Sequence, residues 1–218
     1  MKRLALLHTV LFLADKFKAQ LAERFPDLDS FHVVDESLLK DLLAAGGLTP
    51  GIVRRVTAQA QLAQEAGADM ILFTCSSTSP AVDTARLLLD VPILKIDDPM
   101  AEKAVSFGRQ IGVICTAKST VEASRNLMLA HAAALGKAVD VEVLLESAAF
   151  EAVMKGDKAR HDELVSAAVE EIARTSDVVV LAQASMAHLA QPLNEKLDVP
   201  VLASPELCLD ALSVLLKD

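Results

Sequence analysis

The chain has 218 residues, 52% of them hydrophobic, which is enough to bury a full core as one large domain or two small ones. With 30 acidic residues against 21 basic the formal net charge is −9, so there is no electrostatic footprint for DNA, RNA or an anionic membrane surface. The cysteines Cys75, Cys115 and Cys208 form no CxxC pair, and His8, His32, His131, His161 and His188 show no HxxxH or HExxH spacing. Neither a disulfide framework nor a metal is therefore expected, and a reducing, cytoplasmic setting fits best.

The opening "MKRLALLHTVLFLADKF" puts two basic residues before an apolar stretch, as a secretory signal does, but His8 interrupts it and no small-residue cleavage site follows. It reads instead as a first strand at 3–8. A second strand is expected at 31–35, then a helix in which Thr49 is the N-cap, Pro50 the first helical residue and Gly67 the C-terminal stop. Further short runs rich in Val, Ile and Leu follow at 69–74, 92–96, 110–115, 139–145, 177–182 and 200–204, with helical period between them. That alternation predicts an α/β fold of parallel sheets flanked by helices. No apolar run approaches the ~20 residues of a membrane helix.

The list repeats itself. Asp69 opens "DMILFTCSS" and Asp177 opens "DVVVLAQAS", 108 positions apart, and each is followed 21 residues on by "DVP", at Asp90 and Asp198. "LALLHT" likewise matches "IGVICT" at an offset of 107, so the first apolar run has a mid-chain counterpart and is a core strand. Two pseudo-twofold-related α/β domains of about four parallel strands each are expected, residues 1–98 with 205–218 forming the first and 99–204 the second, with a cleft between them. The repeat pairs Cys75 with Gln183 on opposite walls of that cleft.

With "FTCSSTS" at 73–79 and "LAQASMA" at 181–187, the whole chain resembles the aspartate/glutamate racemase superfamily, which includes hydantoin racemases, maleate isomerases and arylmalonate decarboxylases. The resemblance implies a cofactor-independent enzyme that moves a proton on a carbon acid between two cysteines, one on each face of the substrate. The first motif, commonly Cys-Asn-Thr, is Cys75, Ser76 and Ser77 here; the second, usually Gly-Cys, is Ala182 and Gln183. A carboxamide donates and accepts hydrogen bonds but exchanges no proton near neutral pH. Two-thiol racemisation is therefore not expected. One-sided chemistry by Cys75 remains: isomerisation, lyase-type decarboxylation or proton exchange on a single face.

Ser76, Ser77, Thr78 and Ser79 are helix-starting residue types with Pro80 in the first turn, which would set the thiol beside the free N–H groups of a helix and favour thiolate. The same groups could hold a carboxylate, or simply cap. "ICTAKSTVEA" offers a second hydroxyl-rich turn in Thr116, Ser119 and Thr120, which the resemblance makes a carboxylate-binding site; Lys118 adds charge there or is merely solvated. His8 ends the first strand and is either a hydrogen-bonding group of the site or a satisfied structural histidine. Asp35 and Glu36 reach the same space or cap the next helix. Ser185 reads as a cap and polar contact, Met186 as packing, His188 as weak; Cys115 and Cys208 read as structural.

The function expected is action on a small carboxylate-bearing molecule, with Cys75 as the single catalytic thiol and Gln183 orienting substrate or an enolate oxygen. The absence of Trp and Tyr disfavours an aromatic substrate. The competing reading is an inactive carboxylate-binding or sensing protein on the same fold. A thiol redox protein is weaker, because no resolving cysteine is near in sequence. A homo-oligomer is compatible with the composition; nucleic acid and membrane are not expected partners.

Overall fold

The computed structural model describes residues 2–216. They divide into two compact units, one ending at Ile96 and one beginning at Asp97.

The first unit runs β1 (Arg3–His8), α1 (Leu11–Arg24), β2 (Asp29–Val34), α2 (Glu36–Ala45), α3 (Pro50–Glu65), β3 (Met70–Phe73), α4 (Pro80–Arg86) and β4 (Ile93–Lys95). Its four strands are all parallel, in the order β2-β1-β3-β4. The central strands are continuous apolar runs because helices cover both faces. Ala5, Leu7, Ile71 and Phe73 point into a core filled by Leu38 and Leu42 of α2, Ile52 and Val56 of α3, and Ala81 and Val82. α1 packs against β1 and β2 through its own buried stripe of Leu13, Phe17 and Leu21. Full burial of a side chain such as Phe17 or Phe73 contributes roughly 1.5–3 kcal/mol.

The second unit runs α5 (Asp98–Phe107), β5 (Gln110–Cys115), α6 (Lys118–Ala134), β6 (Asp140–Leu145), α7 (Ser147–Met154), α8 (Lys158–Ile172), β7 (Val178–Leu181), a 3-10 segment (Ala184–Leu189), α9 (Ala190–Lys196), β8 (Val201–Ala203) and α10 (Ser204–Leu215). Its parallel order, β6-β5-β7-β8, repeats that of the first unit strand for strand. Ile111, Val113, Val178 and Val180 face Met100, Ala104 and Met128; Ile114, Val179 and Leu181 face Val165, Val169 and Ile172.

All eight expected strands are present: β1 and β5 have the expected bounds, β2 starts two residues and ends one residue earlier, β6 starts one residue later, and the others lose a residue at each end. Thr49 caps α3 by accepting the Ile52 N–H at 3.3 Å, Pro50 is the first helical residue, and Gly67 has φ +84°, where a side chain would be strained. The closing helix differs from expectation. α10 packs on α5 and on the 3-10 segment, so its described residues group with the second unit, where the sequence reading joined 205–218 to the first; residues 217–218 lie outside the described residues. Leu207 packs against the core of that unit, and Cys208, Leu209 and Leu212 are buried along the helix.

Candidate active site

In each unit the carboxyl ends of the two central strands carry the polar residues. β3 ends at Phe73, and Thr74 and Cys75 follow it out of the sheet. Cys75 is 6% exposed and shares the core of Ala81, Val82 and Phe73. Contrary to expectation, the residues after it do not start a helix at once: Ser76 to Ser79 form a turn, in which the Thr78 and Ser79 carbonyls accept the N–H groups of Ala81 and Val82 at 3.0 Å, and α4 begins only at Pro80. Ser79 makes no side-chain capping bond. Ser76 and Ser77 are half-buried, while the hydroxyls of Thr78 and Ser79 are buried without a partner. A buried hydroxyl left unpaired costs about 1–3 kcal/mol, so both are ready for a ligand oxygen or a water.

His8, at the end of β1, is 1% exposed and has both ring nitrogens engaged: Nδ1 lies 2.8 Å from Thr74 Oγ1 and Nε2 lies 2.9 Å from His32 Nδ1. No ring nitrogen is left for a ligand. The two rings stack, with centroids 5.1 Å apart and planes 10° apart. Burial, and then the neighbouring His32, lower the His8 pKa to about 4. Of the two acidic candidates Glu36 is exposed and Asp35 is a cap: it accepts the Ser37 N–H at 3.0 Å, Arg55 at 2.7 Å and Gln59 at 2.6 Å. Those bonds hold its carboxyl below the usual range against the opposing effect of burial.

In the second unit Thr116 follows β5 and Gln183 follows β7, and the two meet. The Gln183 carbonyl accepts the Thr116 backbone N–H at 2.7 Å and its hydroxyl at 2.9 Å. Because an N–H donates only to the oxygen of a carboxamide, this contact fixes which way the amide points. Gln183 is half-buried, and its NH2 makes no bond among the described residues. Thr120, fully buried, gives its hydroxyl hydrogen to the Ala117 carbonyl at 2.7 Å and has no second one to donate to a ligand. Ser119 Oγ is buried without a partner, and Lys118 is exposed. Ser185 is exposed and makes no cap; Met186 is core, as expected. His188, in the 3-10 segment, bonds Asp162 at 2.9 Å, and Asp162 also takes His161 at 2.8 Å. Cys115 and Cys208 are fully buried, and burial pushes both thiols up. Among the described residues no helix is long and apolar enough to cross a membrane.

Sequence reasoning did not single out Thr74 or His32. Strand alternation alone gives each a face, but only the parallel register, Leu6 beside His32 and Leu7 beside Phe73, brings them to His8.

The fold and these turns can be set beside known proteins. A sequence model described as Asp/Glu/Hydantoin racemase matches residues 8–212. Among solved structures, an aspartate racemase from Picrophilus torridus is similar at TM-score 0.73 and 13% identity, over 98% of this chain and 94% of that one. An allantoin racemase from Klebsiella pneumoniae is similar at 0.71 and 18%, over 100% and 88%. A glycine-to-cysteine mutant of arylmalonate decarboxylase, in a sulfate-associated form, is similar at 0.65 and 18%, over 99% and 93%. At these identities the likeness is one of fold. No curated protein sequence matches.

Proposed function

Because the chain belongs to the Asp/Glu/hydantoin racemase family, we propose that it is a cofactor-independent enzyme of racemase-like type, an isomerase or lyase acting on a small carboxylate-bearing substrate. Cys75 is its single catalytic thiol, and Gln183 serves the same substrate as a hydrogen-bond donor. The observation that carries this reading is the Thr116–Gln183 contact: with the carbonyl locked at 2.7 and 2.9 Å, the group Gln183 has left to offer is an oriented NH2. Such a donor suits the oxygen that gains charge when a carbon acid becomes an enolate.

The chemistry balances on one thiol. As thiolate, Cys75 takes the proton from the carbon next to the carboxylate; the C–H electrons move into the carboxyl group, and Gln183 donates to the oxygen that receives them. The same thiol returns a proton to the same face, giving exchange without inversion. From a substituted malonate, loss of carbon dioxide leaves the same enolate, and the Cys75 thiol protonates it. The unpaired hydroxyls of Thr78 and Ser79 supply contacts for the remaining polar groups. Three free cysteines suit a reducing, cytoplasmic setting.

The second reading, a carboxylate-binding protein without turnover, is favoured by the burial of Cys75 at 6% exposure. Heavy-water exchange of substrate hydrogen separates the two, run over a panel of amino acids, hydantoins, maleate and substituted malonates with Cys75→Ala as control. Exchange or decarboxylation lost in Cys75→Ala supports the enzyme. Binding that survives Cys75→Ala with no turnover on any compound supports the binder.

A further inference from the structure

We propose that His8 and His32 are positioning residues: a neutral, one-way hydrogen-bond chain from His32 through His8 to Thr74 holds the backbone step from which Cys75 leaves the sheet. Its importance for chemistry rests on the reading of Cys75 above; its existence does not.

Each link fixes the next. The Leu7 carbonyl can only accept, so at 3.1 Å it is the Thr74 hydroxyl that donates to it. The Thr74 oxygen therefore accepts from His8 Nδ1–H at 2.8 Å. A neutral His8 with its proton on Nδ1 has a bare Nε2, which takes the Nδ1–H of His32 at 2.9 Å. Thr74 also gives its backbone N–H to Leu7 at 3.0 Å, so both of its donors end on one carbonyl and bind it to β1 immediately before Cys75.

The chain is closed at one end and open at the other. His8 has no room for a second proton, since its Nε2 already faces an N–H, and its burial opposes charge. His32 keeps its Nε2 lone pair and is only half-buried. The groups facing the pair are the Phe17 ring, 6.1 Å from His8, and on α1 Lys18 and Asp15, which respectively oppose and favour charge on His32. The arrangement therefore accepts a proton at His32 without breaking a bond, but not at His8.

Two measurements on the full chain test this. Ring-nitrogen NMR at pH 7 is expected to show both histidines neutral and protonated on Nδ1; His8 protonated on Nε2 overturns the chain. Alkylation of Cys75 by iodoacetamide, read at peptide level by mass spectrometry, is then compared for wild type, His32→Phe and His32→Gln. Losing this part-buried hydrogen bond is expected to change the Cys75 rate about fivefold or more in His32→Phe. His32→Gln keeps a donor towards His8 and is expected to restore it to within about twofold. A folded His32→Phe with the wild-type rate overturns the positioning role, and if that variant does not fold, His8 protonated on Nε2 or a His32→Gln rate more than about twofold from wild type overturns it instead. Neither readout needs a substrate, so a silent substrate panel defeats the proposed function without touching this inference.

Discussion

Thr116 gives two hydrogen bonds to the carbonyl of Gln183, and this turns a flexible carboxamide into a donor of fixed direction. Glutamate at position 183 separates the two ends of that side chain. One carboxylate oxygen still accepts from Thr116, but the other has no hydrogen to give and repels an anionic substrate. Gln183→Glu is therefore expected to leave thermal stability near wild type while lowering kcat/KM by about 10- to 100-fold, the weight of a hydrogen bond to a charged group. Steady-state kinetics on whichever compound of the panel turns over checks this, and an unimpaired Gln183→Glu removes the donor role.

The strand-for-strand repeat makes position 183 the counterpart of Cys75, each following the strand third in its sheet order. On the proposed reading, in which both positions serve one substrate, a thiol there would supply the second acid or base that an amide cannot. Gln183→Cys is expected to gain inversion at the exchanging carbon, read by chiral chromatography of the product. It also strands the Thr116 N–H, at a cost of about 1–3 kcal/mol. Continued exchange with wholly retained configuration would mean that the second face is not reached from this position.

Asp69 and Asp177 show what the repeat is for. Asp69 accepts the Arg3 N–H at 2.7 Å; Asp177 accepts those of Arg109 and Gln110 at 2.7 and 2.8 Å. Each aspartate pins the start of the neighbouring strand and so fixes register. In the second unit the carboxylate comes so close that a Cβ on Gly108 would lie 2.4 Å from it, although the backbone at Gly108 is extended and suits any residue. Gly108→Ala must then displace Asp177, and a fall in Tm of about 2–4 °C per kcal/mol lost is expected. Asp177→Ala is expected to lower Tm too, but to absorb the effect of Gly108→Ala in the double variant. Strict additivity in a differential scanning experiment contradicts the clash.

The same contacts explain what could be read without coordinates. The central strands were legible because helices cover both faces of each sheet, leaving uninterrupted apolar runs; the correspondence of Cys75 with Gln183 in the repeat was legible because the aspartates that anchor the strands are repeated with them. What Gln183 touches was not, since Thr116 lies 67 positions away and only the β5–β7 register joins them. His8 shows the same limit. Its type and position suggested a ligand-facing group, and only the neighbouring strands reveal that both its nitrogens are already spent. The grouping of the closing helix was not legible for a related reason: an amphipathic helix declares an apolar face without declaring what covers it.

His8 also gives the fold a pH dependence of definite sign. Its pKa is lowered to about 4 in the native protein, against about 6.5 in the unfolded chain. Between those values the unfolded state binds more protons, so stability is full near pH 7 and declines as pH falls through the window. The loss at pH 5 relative to pH 7 is expected to be about 2 kcal/mol, with His32, also lowered, acting in the same direction. Asp35, Asp162 and Asp177 do not contribute there: their carboxyls are lowered, so the stability they lend is present above the unfolded value and lost only at more acid pH. Urea unfolding at pH 7 and pH 5 should thus show a fall in midpoint for the wild type and a much smaller one for His8→Gln, whose amide can take both of the imidazole's bonds without titrating. An equal fall in both proteins would assign the acid sensitivity to other groups.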